Sequence, residues 1–244
     1  METIYHPSAQ RGHVNFGWLD SHHSFSFGNW HDREKVHFGA LRVLNDDTVK
    51  GGKGFDTHPH ENMEIVSIPL KGALAHKDST GTEGIIYTGD VQIMSAGSGI
   101  SHSEYNASHY DNANFLQIWI FPKQPGIRPR HDQRSFHPDD RKDKWQVVVS
   151  PRAEDHALWI NQDARLALAR LSAGKTLTFQ PAFEGNGIYL FVLEGSITTE
   201  EGAITTEGRT LEKRDGLGIS GIDLVTLTAL ADSEVLAIEV PMFA

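Results

Sequence analysis

A chain of 244 residues, 39% hydrophobic and 22% charged, has the make-up of a folded globular protein and room for two ordinary domains. Its formal net charge of −10 argues against a general nucleic-acid binder, whose phosphate contacts need a basic face, and the absence of cysteine excludes disulfides, thiolate metal sites and thiol nucleophiles. Residues 1–10 lack a basic start and an apolar run, so no signal peptide is expected; no apolar stretch approaches membrane-spanning length, and the reading is a cytoplasmic protein.

In chain order the pattern is strand and turn. Residues 11–30 are aromatic and glycine-rich with no helical period. Residues 36–44 alternate as a strand does, and Gly51-Gly52-Lys53-Gly54 is a turn, with none of the strand-to-helix context of a nucleotide loop. Then comes Gly54-Phe55-Asp56-Thr57-His58-Pro59-His60-Glu61-Asn62-Met63-Glu64. Residues 63–70 suit a buried strand, which Lys71-Gly72 closes; 73–77 follow, then a turn at Asp78-Ser79-Thr80-Gly81 and short strands at 85–87, 91–94 and 115–121. Between the last two lies Gly99-Ile100-Ser101-His102-Ser103-Glu104. Short strands at this spacing predict an antiparallel sandwich or barrel.

Successive side chains of a strand face opposite ways, so His58 and His60 share a face, as do His102 and Glu104. On neighbouring strands these pairs would aim three imidazoles and a carboxylate at one point, the donor set of a non-haem iron, manganese, nickel or zinc site with open positions. Glu64 has the parity of His58 and His60 and is a rival carboxylate. It lies about 20 Å beyond His58 along an ideal strand, whereas Glu104 is within about 7 Å of His102, which favours Glu104.

Residues 122–144 are interrupted by Pro122, Pro125, Pro129 and Pro138 and carry the charge run Asp139-Asp140-Arg141-Lys142-Asp143-Lys144. The domains expected are 1–130, a linker at 131–144, and 145–244. Beyond the linker, strands recur at 145–149, 164–171, 175–179, 188–193, 224–230 and 235–240. The run from Ile65 to Leu74 matches that from Ile188 to Ile197, including Gly72 and Gly195, and Gly89-Asp90-Val91 onward resembles Asp215-Gly216-Leu217. A unit this long is a duplicated domain and not a solenoid repeat. Carrying the register across puts Pro181 and Phe183 at the positions of His58 and His60, and Thr228 and Leu230 at those of His102 and Glu104. The second copy lacks the ligands; of the 14 histidines, only His156 lies beyond the linker.

At these residues the chain resembles the cupin superfamily. Gly52-x5-His58-x-His60-x3-Glu64, with Gly72 after it, is similar to the first cupin motif with one extra residue before that glycine. Gly89 with Gly97-Ser98-Gly99-x2-His102-x3-Asn106 is similar to the second, with Ser95 or Ala96 where proline is usual. Within cupins the resemblance is to the pirin family, through Arg11-Gly12-His13, Gly17-Trp18-Leu19-Asp20-Ser21, Leu41-Arg42-Val43-Leu44-Asn45-Asp46-Asp47, Thr57-His58-Pro59-His60, the run Gln92 to Ile100, and His102-Ser103-Glu104-Tyr105-Asn106. It is specific over residues 10–135, and the second half is similar to a degenerate cupin.

The resemblance implies an all-β bicupin of two double-stranded β-helix barrels, with one divalent metal per chain held by His58, His60, His102 and Glu104. Iron(II) is the ion expected first; manganese, nickel, zinc, copper and cobalt suit the same donors. Bacterial pirins are similar to quercetin 2,3-dioxygenases, which implies a flavonol and dioxygen as substrates, release of carbon monoxide, and Glu104 as proton acceptor. The alternative is a metal-dependent, redox-sensing binding protein that modulates a protein partner, and a third reading is a metal isomerase or storage-like cupin holding a small organic acid. An enclosed cavity for a planar three-ring molecule would favour the enzyme, and an apolar rim without a cavity would favour the partner.

The remaining conspicuous residues are expected to be structural. His22 and His23 face apart on a strand, one satisfied and one solvated. Trp18, Phe25, Phe27 and Trp30 are expected in the core, His13, His31, His37 and His76 as isolated histidines, and Arg42 with Asp46 and Asp47 as surface or edge pairs.

Overall fold

The computed structural model describes residues 1–201 and 208–243, which form strands and three single turns of 3-10 helix. No helix among them is long and apolar enough to cross a membrane. The strands are β1 (Glu2–His6), β2 (Gly12–Asn15), β3 (Leu19–His23), β4 (Leu41–Val49), β5 (Gly54–His60), β6 (Glu64–Lys71), β7 (Ala73–Asp78), β8 (Glu83–Tyr87), β9 (Asp90–Ser95), β10 (Ile100–Asn106), β11 (Ala113–Ile120) and β12 (Arg130–Ser135). They continue as β13 (Gln146–Val149), β14 (Arg165–Leu171), β15 (Thr176–Phe179), β16 (Asn186–Glu194), β17 (Ser196–Glu201), β18 (Arg209–Glu212), β19 (Gly216–Ser220), β20 (Val225–Ala229) and β21 (Ser233–Pro241).

The chain divides into two units. The first holds Gly12–Phe136 and Leu158–Gln162; the second holds Met1–Arg11, His137–Ala157 and the chain from Asp163. In the first, a seven-stranded sheet runs β12-β9-β6-β11-β4-β3-β2 and a four-stranded sheet runs β5-β10-β7-β8. In the second, the sheets run β1-β19-β16-β21-β14-β13 and β15-β20-β17-β18. The two orders are the same once β5 to β11 are laid on β15 to β21 and β4 on β14. This is the duplicated domain that the sequence repeat predicts, in the bicupin architecture that the resemblance to cupins implies.

The edges differ from the sequence scheme of 1–130, 131–144 and 145–244. β12 pairs with β9 over Arg130↔Ser95 to Ser135↔Asp90, so the start of the expected linker is sheet. β1 pairs with β19 in the second unit, over Glu2↔Ser220 to His6↔Gly216. Each central sheet thus has an extra edge strand, one taken from the end of its own unit and the other from the start of the chain.

Local chemistry explains the strands. In β20, Val225, Leu227 and Ala229 are buried while Thr226 and Thr228 face outward, where their hydroxyls meet those of Thr178 and Thr176 at 3.3 and 3.0 Å. Gly72 (φ 78°) and Gly195 (φ 79°) make the same left-handed turn into β7 and β17. Asp90 and Asp215 each accept the backbone N–H three residues earlier, from Tyr87 at 2.9 Å and Glu212 at 3.0 Å.

The observed pairings correct the register carried across from the sequence. His58 lies opposite His102 in the first unit, as Phe179 lies opposite Val225 in the second. Glu104 lies opposite His76, four residues past Gly72; Leu227 lies opposite Thr199, four residues past Gly195. The equivalents of His58, His102 and Glu104 are therefore Phe179, Val225 and Leu227, and not Pro181, Thr228 and Leu230. All three are buried in the second unit's apolar core. The first unit has a smaller apolar cluster of Leu19, Val49, Leu74, Ile86, Ala113 and Phe115 between its sheets.

β1 is tied to the second unit by Tyr5, whose hydroxyl donates to Asp215 Oδ2 at 2.7 Å. Burial, then the bond to Asp215 and its charge, push the Tyr5 phenol up to about 12. The neutral phenol is the form the fold prefers, so its contribution is full below about pH 10 and is lost as pH rises through about 12. Tyr5→Phe should cost about 1 kcal/mol at neutral pH. Its urea midpoint should then converge on that of the parent between about pH 10 and 12; a constant gap across that window would remove the linkage.

Candidate metal centre

β5 and β10 pair with His58 opposite His102 and Phe55 opposite Glu104. Three residue steps on β5 span two on β10, which makes a β-bulge at Asp56 and Thr57. Without it Phe55 and His58 would face opposite ways. With it Phe55, His58, His60, His102 and Glu104 all line one cavity. All four residues read from the sequence line it, with Phe55 added by the bulge.

Nitrogens of His58, His60 and His102, one from each ring, lie within 4.8 Å of one another, and the ring centroids are 4.5 to 4.9 Å apart. Nδ1 of His58 is 2.7 Å from the Asp56 carbonyl, which can only accept, so Nδ1 carries the proton and Nε2 keeps a lone pair. Burial, then the neighbouring His58, push His60 down to about 4. Burial, then His58 and His60, push His102 down to about 3. Neutral imidazole is the form that binds a metal. Both ring nitrogens of buried His102 lack a hydrogen-bond partner, which costs about 1–3 kcal/mol for each polar group left unmatched. A divalent ion would supply what is missing, so these residues fit a metal.

Glu104 is 3% exposed, and its Oε1 and Oε2 accept from Ser67 Oγ at 2.9 Å and Gln117 Nε2 at 2.7 Å. Burial raises its pKa above the usual carboxylate range against the pull of these bonds. A carboxylate oxygen of Glu104 and a nitrogen from each of His102 and His76 also lie within 4.8 Å of one another.

Glu64 is elsewhere. Asn62 turns the chain in a left-handed conformation (φ 49°) between β5 and β6, so the parity counted from His60 does not carry across into the other sheet. The Glu64 carboxylate accepts from Ser95 Oγ at 2.8 Å and the Asn161 N–H at 3.1 Å, and it is Ile65 that lines the cavity.

Three sequence expectations are corrected. His76 is not isolated: it is buried, its Nε2 donates to Asp78 Oδ2 at 3.0 Å, and its ring stacks on His131 at 4.7 Å. The signal was there as His76-Lys77-Asp78, a same-face pair on β7. Asp46 and Asp47 are not surface groups: both are buried, and Asp47 lines the cavity, while Arg42 donates to the carbonyls of Ser26 and Val36. Phe27 is not only core, since it too lines the cavity, edge-on to Trp119. His22 and His23 do face apart: His23 is buried against Ser21 Oγ (2.7 Å), and His22 stacks on His13, which also meets Asp20 at 2.6 Å.

The cavity has a volume of about 210 Å³, and beyond the histidines its walls are Phe27, Asn45, Asp47, Phe55, Ile65, Gln117 and Trp119. A second cavity of about 190 Å³ shares Phe27, Asn45, Asp47 and Phe55 with it and continues to Phe16, Leu19 and Ser21. Together they come within the ~300–1,000 Å³ of small-molecule sites.

Comparison with known proteins agrees with this geometry. Residues 5–120 match the pirin family model, and residues 147–240 match a model described as the quercetinase C-terminal cupin domain. The chain is 41% identical to a quercetin 2,3-dioxygenase of Escherichia coli K12 over 95% of this chain and 96% of that one. It is 38% identical to a pirin-like protein of Caulobacter vibrioides over 96% and 97%. The crystal structure of the bacterial pirin YhhW of Escherichia coli in complex with nickel(II) superposes with a TM-score of 0.90 at 39% identity, over 99% of this chain and 100% of that one. The two halves match pirin and cupin models in turn, and near relatives match along almost the whole length: the chain belongs to the pirin family.

Proposed function

We propose that the protein is a metal-dependent dioxygenase that opens flavonols such as quercetin with dioxygen. The observation that carries this is the convergence of three histidines and one buried carboxylate on the wall of an aromatic cavity. The relative in Escherichia coli that carries the name quercetin 2,3-dioxygenase supports the substrate class. The aromatic walls of the cavity at the histidines support the enzyme over the partner-binding alternative.

His58, His60, His102 and Glu104 would hold the ion. When bound, a divalent metal lowers the pKa of a coordinated hydroxyl and, where it is iron, relays electrons between substrate and dioxygen. The protein's own groups do the rest. Phe27, Phe55, Ile65 and Trp119 clamp a planar ring system and exclude water. Glu104 would take the proton of the flavonol 3-hydroxyl on a carboxylate oxygen, which lies on the wall of the same cavity. Ser67 and Gln117 keep that carboxylate aimed inward. In the overall reaction the two ring bonds to the hydroxyl-bearing carbon break. That carbon leaves as carbon monoxide, and both dioxygen atoms enter the depside product.

Iron- or manganese-loaded protein should consume oxygen with quercetin and release carbon monoxide. His58→Ala should abolish both while circular dichroism stays that of the parent. Undiminished turnover in that variant would detach the chemistry from the histidines.

Protein prepared without chelator or metal-affinity resin should carry one metal per chain, since Phe179, Val225 and Leu227 stand at three of the four ligand positions in the second unit. Glu104→Gln should weaken metal retention in chelator competition by at least the ~10–100-fold that loss of an outer-sphere partner costs. Glu64→Gln should weaken it less, and the reverse order would move the fourth ligand to Glu64. Stripping the metal should lower the melting temperature, because an ion bound only by the folded state stabilises it.

A further inference from the structure

Five polar residues lie side by side across the central sheet of the first unit. Gln92 pairs with Ser67, Ser67 with Gln117, Gln117 with Asn45, and Asn45 with His23, so their side chains share one face over β9, β6, β11, β4 and β3. The same row exists in the second unit, where Leu217 pairs with Leu190, Leu190 with Ala237, Ala237 with Ala167, and Ala167 with Val147. Every member there is apolar, and that unit's core is packed around them. The barrel therefore does not require polar groups in this row, and burying them is costly unless each finds a partner.

Most of the row is accounted for. Ser67 and Gln117 hold Glu104, Gln92 Oε1 meets His131 Nε2 at 3.0 Å while its Nε2 meets no partner and borders neither cavity, and His23 meets Ser21. Asn45 is the member of the row whose side chain borders both cavities. It is 2% exposed, its Oδ1 meets no donor of the protein, and it lines both cavities. Beside it are Ser21, whose hydroxyl bonds Asp47 Oδ1, and His23. All three line the second cavity, which His58, His60 and His102 do not.

We propose that Asn45, with Ser21, His23 and Asp47 beside it, is a hydroxyl-recognition subsite whose amide hydrogen-bonds a phenolic hydroxyl of the substrate remote from the histidine cluster. It rests on the dioxygenase reading above and narrows the substrate class to planar polyphenols with an oxygen for the metal at one end and a second hydroxyl at the other. The flanking Phe27 and Phe55, common to both cavities, stack the ring system between the two ends.

The test is anaerobic binding of quercetin, galangin and 3-hydroxyflavone to the metal-loaded full chain, followed by fluorescence quenching. All three carry the 3-hydroxyl; galangin adds hydroxyls on the fused ring alone, quercetin on both outer rings, and 3-hydroxyflavone on neither. The parent should bind quercetin at least about tenfold tighter than 3-hydroxyflavone, and galangin identifies which ring is read. Asn45→Leu and Asn45→Ala should collapse that ratio toward one, and Ser21→Ala should narrow it. A ratio cancels any general weakening that a merely structural role would cause. A parent ratio near one, or a ratio unchanged in the variants, overturns the subsite alone and assigns the Asn45 amide to an ordered water. If none of the three binds the loaded parent, the flavonol reading falls and the subsite with it. Where a variant does not fold, the parent ratio and Ser21→Ala still decide.

Discussion

The arrangement depends on one pairing, β5 against β10 with His58 opposite His102. A strand alternates its faces strictly, so three imidazoles, a carboxylate and an aromatic wall meet inside the barrel only if this register holds. The bulge at Asp56 and Thr57 makes the register productive, because it restores Phe55 to the side of His58. A one-residue slip would turn the histidines outward and bring Pro59, with either Thr57 or Glu61, inward. The pairing of β10 with β7 on its other side then brings His76 opposite Glu104. A single strand thus carries one face of the metal cluster and anchors the group behind it.

The second unit uses the same register for a different end. Phe179 opposite Val225, with Leu227 two residues on, puts packed hydrocarbon where the first unit has His58, His102 and Glu104. Each such side chain contributes about 1.5–3 kcal/mol when fully buried. Duplication thus left one barrel with a dry core and one with a functional interior, and the shared topology makes each a reference for the other. Positions polar in one and apolar in the other mark where function and not folding chose the residue.

Much of this was legible in the sequence because it rests on local periodicity. The short strands, the repeat at Gly72 and Gly195, and the same-face pairs His58 with His60 and His102 with Glu104 need only a count of residues. What was not legible depends on where strands sit beside one another. The bulge at Asp56 and Thr57 and the turn at Asn62 each break a parity count, which is why Phe55 was missed and Glu64 looked like a rival. The same blindness shifted the equivalents in the second copy from Phe179, Val225 and Leu227 to neighbours two and three residues away. Asp46 and Asp47 read as surface charges because an acidic pair usually is solvated. Only the pairing of β4 between β3 and β11 shows that both are enclosed. Edge strand β1 had no sequence signal that it belongs with residues some 210 positions later.

The interior of the first barrel is poised against its own stability. His102 has no hydrogen-bond partner, Asn45 Oδ1 has none, and Glu104 is a carboxylate in a site that raises its pKa. A fold selected for stability alone would fill these positions as the second unit does. Burial and the neighbouring histidines push His60 and His102 down, and a neutral imidazole such as His102, without a donor or acceptor nearby, is a ligand waiting for an ion. The same reasoning applies at Asn45, where the unmet group is an acceptor and the missing partner a donor. These two deficits border cavities that share Phe27 and Phe55 in their walls, and the proposed substrate would meet both at once, as a flat molecule with an oxygen at one end and a hydroxyl at the other.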